Sequence, residues 1–264
     1  MEFGEQTEHV RVELCDRVLC MRIARPDKKN ALNNAMYSRM AESVERAADD
    51  GQVRAIFVTG TEECFSSGND VSSFAEPATA PGNSVDEAPP MRLIRAVAQT
   101  PLPLVAAVNG PAIGVGTTLL MHFDFVVAGE RAVFKTPFVS LGVCPEAGSS
   151  YSMPLRLGYD SAARMLMLGE SLDAGQALAC GLVSEVHSSR QYQERALAIA
   201  SRLAALPPAS VRATKQLLRA PHLEAIERAI ERENVAFDAC MRTPEFSEAI
   251  AAFMERREPD FSAC

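Results

Sequence analysis

The chain has 264 residues, 47% of them hydrophobic and 23% charged, the composition of a soluble globular protein with a sizeable core. Its formal net charge of −8 gives a nucleic-acid role no electrostatic support. A polyanionic ligand would have to meet a local cluster of Lys and Arg.

The acidic opening Met1-Glu2-Phe3-Gly4-Glu5 has no apolar run and does not read as a signal peptide. Val10–Leu14 and Val18–Ile23 read as strands. Asn33 can cap a helix running to about Ala48, with Met36, Met40, Val44 and Ala47 on one face. Val53–Thr59 is a β-branched, buried strand. From Phe74 to Pro90 the composition turns to Pro, Ala, Gly, Ser and acids, which marks an inserted surface loop. A helix over about Met91–Ala98 follows.

Ala96 to Phe123 carries no Asp, Glu, Lys or Arg and is long enough for a membrane span. Pro101, Pro103 and Pro111 break any continuous helix there, so the stretch reads as a buried strand (Leu104–Val108), a tight turn and a helix from near Val115. Strands at Phe125–Ala128 and Val133–Lys135 come next. This alternation predicts an α/β fold with a mainly parallel sheet. Beyond about residue 190 the chain reads as helical: Gln191–Ala205, Ser210–Arg219, His222–Cys240 and Pro244–Arg256, the last opened by Thr243-Pro244. Its apolar residues Ile226, Ile230, Val235, Phe237, Ile250 and Phe253 need a surface to pack on. Seven cysteines, an odd number with no CxxC pair, argue against a disulfide framework and for reducing, cytoplasmic surroundings.

Two glycine-bearing turns carry the chemistry: Cys64-Phe65-Ser66-Ser67-Gly68-Asn69-Asp70-Val71 and Asn109-Gly110-Pro111-Ala112-Ile113-Gly114-Val115-Gly116. Each ends a buried strand and leads toward a helix, where free N–H groups can point at an anion. Taken singly, each also reads as an ordinary strand-to-helix turn, with Asp70 as a cap. The second lacks the third glycine of a dinucleotide fingerprint. A third segment, Pro137-Phe138-Val139-Ser140-Leu141-Gly142-Val143-Cys144-Pro145-Glu146-Ala147-Gly148, brings in a glutamate. By residue chemistry alone, Glu146 is equally a solvated loop carboxylate or an acid at the helix start near Gly148-Ser149-Ser150.

In this order and at these separations the three segments resemble the crotonase (enoyl-CoA hydratase/isomerase) superfamily. The spelling SSGND, TPF and PEAGSS is most similar to its Δ3,Δ2-enoyl-CoA isomerase branch. The resemblance runs from about Val10 through the last helix. It implies a spiral of ββα turns over residues 1–200 and a C-terminal helical region over 201–264. It also implies an acyl-CoA thioester as substrate, no metal or redox cofactor, and a homotrimer or dimer of trimers. The oxyanion hole is then formed by the N–H groups of Asn69 and Val115. The two glutamates of a hydratase fall on Thr118 and Phe138, neither of which can take a proton from water, whereas the isomerase glutamate falls on Glu146.

Arg25-Pro26-Asp27-Lys28-Lys29-Asn30-Ala31-Leu32 matches the family's segment beside the nucleotide end of coenzyme A, with Arg256 and Arg257 as further cations. The resemblance thus implies a substrate-binding set of Lys28, Lys29, Ala31, Ser67, Gly68, Asp70, Val71, Gly114, Thr118, Phe138 and Leu141. The histidines form no metal pair, and His122 reads as a satisfied core residue. Alternatives to an isomerase are an enoyl-CoA hydratase, another crotonase-type enzyme, or a non-catalytic acyl-CoA-binding module.

Overall fold

The computed structural model describes residues 8–70 and 88–264. The chain opens with β1 (Val10–Cys15) and β2 (Val18–Ile23), an antiparallel hairpin turned at Asp16-Arg17. Both turn residues have left-handed φ, 47° and 68°, the twist a two-residue hairpin requires. Helix α1 (Asn34–Asp49) starts where Asn33 Oδ1 accepts from the Met36 N–H at 3.0 Å. Met36, Met40, Val44 and Ala47 are all buried, as their spacing predicts.

Strand β3 (Ala55–Thr59), helix α2 (Pro89–Gln99) and strand β4 (Leu104–Val108) follow. Next come β5 (Pro111–Ile113) and α3 (Val115–Thr118), the latter continuing as a 3-10 turn over Leu119–His122. The chain then forms β6 (Phe125–Gly129), β7 (Val133–Lys135), α4 (Ser149–Leu157), α5 (Tyr159–Leu168), β8 (Leu172–Asp173), α6 (Ala174–Ala179) and β9 (Glu185–His187). It finishes with α7 (Tyr192–Ala205), α8 (Pro208–Cys240) and α9 (Pro244–Glu255).

The main sheet has six strands in the order β1-β2-β3-β4-β6-β9, parallel after the first hairpin. A three-stranded sheet, β5-β7-β8, stands beside it. The chain crosses from β4 to β5 and back to β6 and β7, so successive turns add a strand to each sheet. This is the mixed α/β architecture the sequence predicts. One face of the main sheet packs on α7, whose Ala196, Ala200 and Ala204 follow one another at four-residue spacing. Small side chains at that period let the helix lie close on Phe57, Val105 and Val127. The other face and the remaining helices form the larger core.

Two expectations need correction. Ser210–Arg219 and His222–Cys240 are not two helices: α8 runs unbroken through Pro221. Proline removes one intrahelical donor, but the residue whose carbonyl loses its partner, Leu217, is exposed and can be hydrated. The helix after Val115 is a single α turn before it tightens to 3-10 geometry. The charge-free stretch Ala96–Phe123 is spread over β4, β5 and α3, and no described helix is long and apolar enough to cross a membrane. Most of the Phe74–Pro90 segment lies outside the described residues, while Pro89 and Pro90 open α2. Of the apolar C-terminal residues, Ile226 and Ile230 are buried in the chain's own core, whereas Val235 and Phe253 stay exposed.

Candidate active site

The two glycine turns lie against each other. The Phe65 N–H donates to the Pro111 carbonyl at 3.0 Å, and the Ile113 N–H donates to the Ser66 carbonyl at 2.9 Å. Contact this close excludes side chains. A Cβ on Gly68 (φ 94°) would come within 2.9 Å of the Ile113 carbonyl oxygen, and one on Gly116 within 2.9 Å of the Ser66 carbonyl oxygen. Among the described residues, the N–H groups of Asn69 and Val115 donate to no protein acceptor. Val115 opens α3, so its N–H is one of the donors a helix start leaves free.

The basic turn joins the same assembly. The Leu32 N–H donates to the Gly68 carbonyl at 2.8 Å, and the Ser67 N–H to the Lys29 carbonyl at 3.0 Å. Arg25 Nη1 pairs with Asp70 Oδ2 at 2.6 Å and also donates to the Ala31 carbonyl at 3.2 Å. Asp70 is thus held by Arg25. Lys28 and Lys29 are exposed and lie next to Ser67, which donates to both of their carbonyls.

Glu146 sits between the 3-10 turn Val139–Leu141 and α4, only 8% exposed. The backbone after it is strained: Ala147 (φ 63°) and Gly148 (φ 70°) are both left-handed, a costly conformation for alanine. Two contacts hold it. His122 Nε2 donates to the Ala147 carbonyl at 2.8 Å, and the Gly148 N–H donates to Glu233 Oε2 at 2.5 Å. The Ser150 N–H donates to Glu233 Oε1 at 2.7 Å. The start of α4 is therefore capped by Glu233, from α8, and Glu146 is left free of that task. His122 is pushed down to about 4, first by burial and then by the charge of Arg219. It stays neutral, with Nδ1 free to accept from Arg219 Nη2 at 3.4 Å. It is the satisfied core residue its apolar surroundings predict.

Glu146 Oε1 accepts a hydrogen bond from Thr118 Oγ1 at 2.8 Å. Burial pushes the Glu146 carboxyl up to about 7; the Thr118 hydrogen bond works against that rise, and the charge of Glu233 adds to it. A carboxylate with this proton affinity is suited to general acid–base work near neutral pH. Thr118→Val removes a donor that favours the ionised form, so the Glu146 pKa should rise. The ascending limb of the pH–kcat/KM profile should then move to higher pH by about one unit, given that one unit corresponds to about 1.4 kcal/mol. An unmoved limb would show that Glu146 does not control it.

A cavity of about 150 Å³ opens beside Glu146 and Asn69; Val115 and Thr118 are not in its lining. Leu32, Tyr37, Asn69, Asp70, Met91 and Glu146 line it from the core side, and Asn234, Phe237, Asp238 and Met241 from the helical region. Of the residues singled out from sequence, Glu146, Asn69 and Asp70 face this cavity directly. Thr118 stands behind Glu146, and Phe138 is buried with its ring against Gly114. Leu141 packs on the core and is not in the cavity wall, and Val71 lies outside the described residues. Arg257 is held by Glu248 and Glu255. Tyr37, Glu233 and the cavity-lining residues of α8 escaped sequence reasoning. Tyr37 left a trace as a polar-tipped ring on the buried face of α1, and Phe237 as one of the apolar C-terminal residues in need of a surface. Among the described residues no three His, Cys, Asp or Glu side chains converge as a metal site would need.

A family model described as enoyl-CoA hydratase/isomerase matches residues 13–263. The chain belongs to the enoyl-CoA hydratase/isomerase family. Within the family it is similar to the 2,3-dehydroadipyl-CoA hydratase of Escherichia coli (strain K12), 37% identical over 245 residues that cover 93% of this chain and 95% of that protein. It is also similar to enoyl-CoA delta isomerase 2 of Rattus norvegicus, 37% identical over 239 residues, 88% of this chain and 60% of that longer protein. The crystal structure of an enoyl-CoA hydratase/isomerase from Pseudoalteromonas atlantica T6c superposes with a TM-score of 0.92 at 39% identity, over 97% of this chain and 100% of that one. The chain therefore has the fold of this enzyme family. Its relatives carry both hydratase and isomerase names.

Proposed function

We propose that this family member is a Δ3,Δ2-enoyl-CoA isomerase. The observation that carries the reading is one buried carboxylate, Glu146, with its proton affinity raised to about 7 and Thr118 at its side. Glu146 takes the C2 proton of a 3-enoyl thioester. The electron pair passes through the dienolate to the thioester oxygen, which the N–H groups of Asn69 and Val115 stabilise. The same carboxyl then returns the proton to C4, which leaves the trans-2-enoyl thioester. One group suffices because the proton leaves and returns on one side of a planar intermediate. Coenzyme A enters as part of the substrate, and the steps require no metal or redox cofactor. The purified protein is expected to convert 3-hexenoyl-CoA to the trans-2 isomer; no conversion would refute the assignment.

Likeness to a hydratase over nearly the whole chain favours a second reading, addition of water to a 2-enoyl-CoA. That reaction calls on a second carboxyl, and the other carboxylates near the cavity are occupied. Asp70 is paired with Arg25, Asp238 with Arg242 at 2.7 Å, and Glu233 with two backbone N–H groups.

Lys28 and Lys29 are proposed to meet the phosphates of coenzyme A as exposed point charges. Changing both to Ala should raise KM several-fold, by about threefold to tenfold, with kcat nearly unchanged, since binding common to ground and transition states is lost. The dependence of KM on salt should also flatten. An unchanged KM would place the phosphates elsewhere. The trimeric assembly and the division near residue 200 are part of the same reading, and sedimentation of the full chain tests the assembly.

A further inference from the structure

Tyr37 is 1% exposed on the inner face of α1, and its hydroxyl donates to Asn69 Oδ1. A phenolic O–H enclosed by protein needs an acceptor, and a carboxamide oxygen can only accept. The hydrogen bond therefore fixes which end of the Asn69 amide faces Tyr37, an orientation that side-chain shape alone leaves open. The Nδ2 end is turned away from Tyr37. Among the described residues Nδ2 meets no acceptor, and it is not among the enclosed polar atoms. Tyr37, Asn69 and Glu146 line one cavity.

We propose that the Asn69 side chain is itself a catalytic donor: Nδ2–H stabilises the enolate oxygen beside the backbone N–H groups of Asn69 and Val115. Tyr37 is the positioning residue that holds the amide in this orientation. The inference rests on the reading that Glu146 generates an enolate, and it leaves that step unchanged. The C2 proton goes to the Glu146 carboxylate, the C–H electron pair goes to the thioester oxygen, and no other bond is made or broken.

The test is exchange of the C2 protons of hexanoyl-CoA in deuterium oxide, which reads enolate formation whatever the final product. Asn69→Ala keeps the backbone N–H and removes Nδ2. Exchange should slow by about tenfold or more, a fraction of the 10²–10³ that a main oxyanion donor supplies. Affinity for hexanoyl-CoA should change by no more than about twofold, since the donor acts on charge that develops only in the transition state. Tyr37→Phe should slow exchange by a smaller factor, and adding it to Asn69→Ala should cost nothing further, as two residues acting through one contact are not additive.

Exchange by Asn69→Ala within about twofold of wild type would overturn the proposal, as would multiplicative effects in the double variant. A shifted pH midpoint with an unchanged limiting rate would place Nδ2 on Glu146 and would also overturn it. Should Tyr37→Phe fail to fold, Asn69→Ala decides alone. Glu146→Gln in the same assay separates the two levels. Exchange that survives Glu146→Gln refutes the underlying reading, whereas exchange lost there but intact in Asn69→Ala refutes only the role of Nδ2.

Discussion

Glu146→Gln is expected to lower kcat for 3-enoyl-CoA isomerisation by about a thousandfold or more, since a positioned acid–base group contributes about 10²–10⁴. The amide keeps the shape of the side chain and can still meet the Thr118 hydroxyl, but it cannot take a proton. Binding of a saturated acyl-CoA should persist, because the Asn69 and Val115 N–H groups are untouched. In the wild-type enzyme a single turnover in ordinary water should carry some deuterium from C2 to C4. Retention of more than about a tenth of the activity by Glu146→Gln would assign proton transfer to another group.

Stability gives an independent reading of the same variant. Burial raises the folded-state pKa of Glu146 above its ordinary value, to about 7. A raised carboxyl pKa favours folding while the group is protonated in both states. That contribution falls away as pH rises from the ordinary carboxyl range through about 7, where the folded protein must hold a buried charge. Glu146→Gln never ionises, so its melting temperature should exceed that of wild type at pH 8 and approach it at pH 5. A variant that loses activity while gaining stability in alkali cannot owe the loss to unfolding. An active-site carboxyl that weakens the fold is the expected cost of keeping a base in an apolar wall.

Much of this architecture was legible because its causes are local. The Asn33 cap, the apolar face of α1 and the buried strands β3 and β4 each follow from a few neighbouring residues. Glycine at 68 and 116 announced backbone turns, though the need for it lies in the contact of one turn with the other. The parts that escaped are non-local. Nothing near Glu233 in the chain says that it will cap a helix 83 residues away, and nothing near Glu146 says that this will relieve it of capping. Pro221 reads locally as a helix break, yet α8 continues, the residue whose carbonyl it leaves unpaired, Leu217, being exposed to solvent. Tyr37 resembles any buried aromatic until Asn69 is placed against it.

Hydration of a trans-2-enoyl-CoA should be at least about a thousandfold slower than isomerisation of the matching 3-enoyl-CoA, because each missing proton-transfer group removes about 10²–10⁴. Water addition needs a base for the nucleophile and an acid for C2, and the resemblance read from the sequence puts the two hydratase glutamates on Thr118 and Phe138. Both positions are enclosed here. Thr118→Glu would put a second carboxyl within reach of Glu146, and two such groups at one site share a proton and titrate as a pair. Phe138→Glu would bring a charge against Gly114, at the turn proposed to hold the thioester oxygen, and so oppose the enolate. The double substitution is therefore expected to reduce isomerisation by more than it raises hydration. The apolar wall that suits one carboxyl to shuttle a proton is hostile to two. Comparable wild-type rates on the two substrates, measured at one pH, would refute the isomerase assignment in favour of the hydratase.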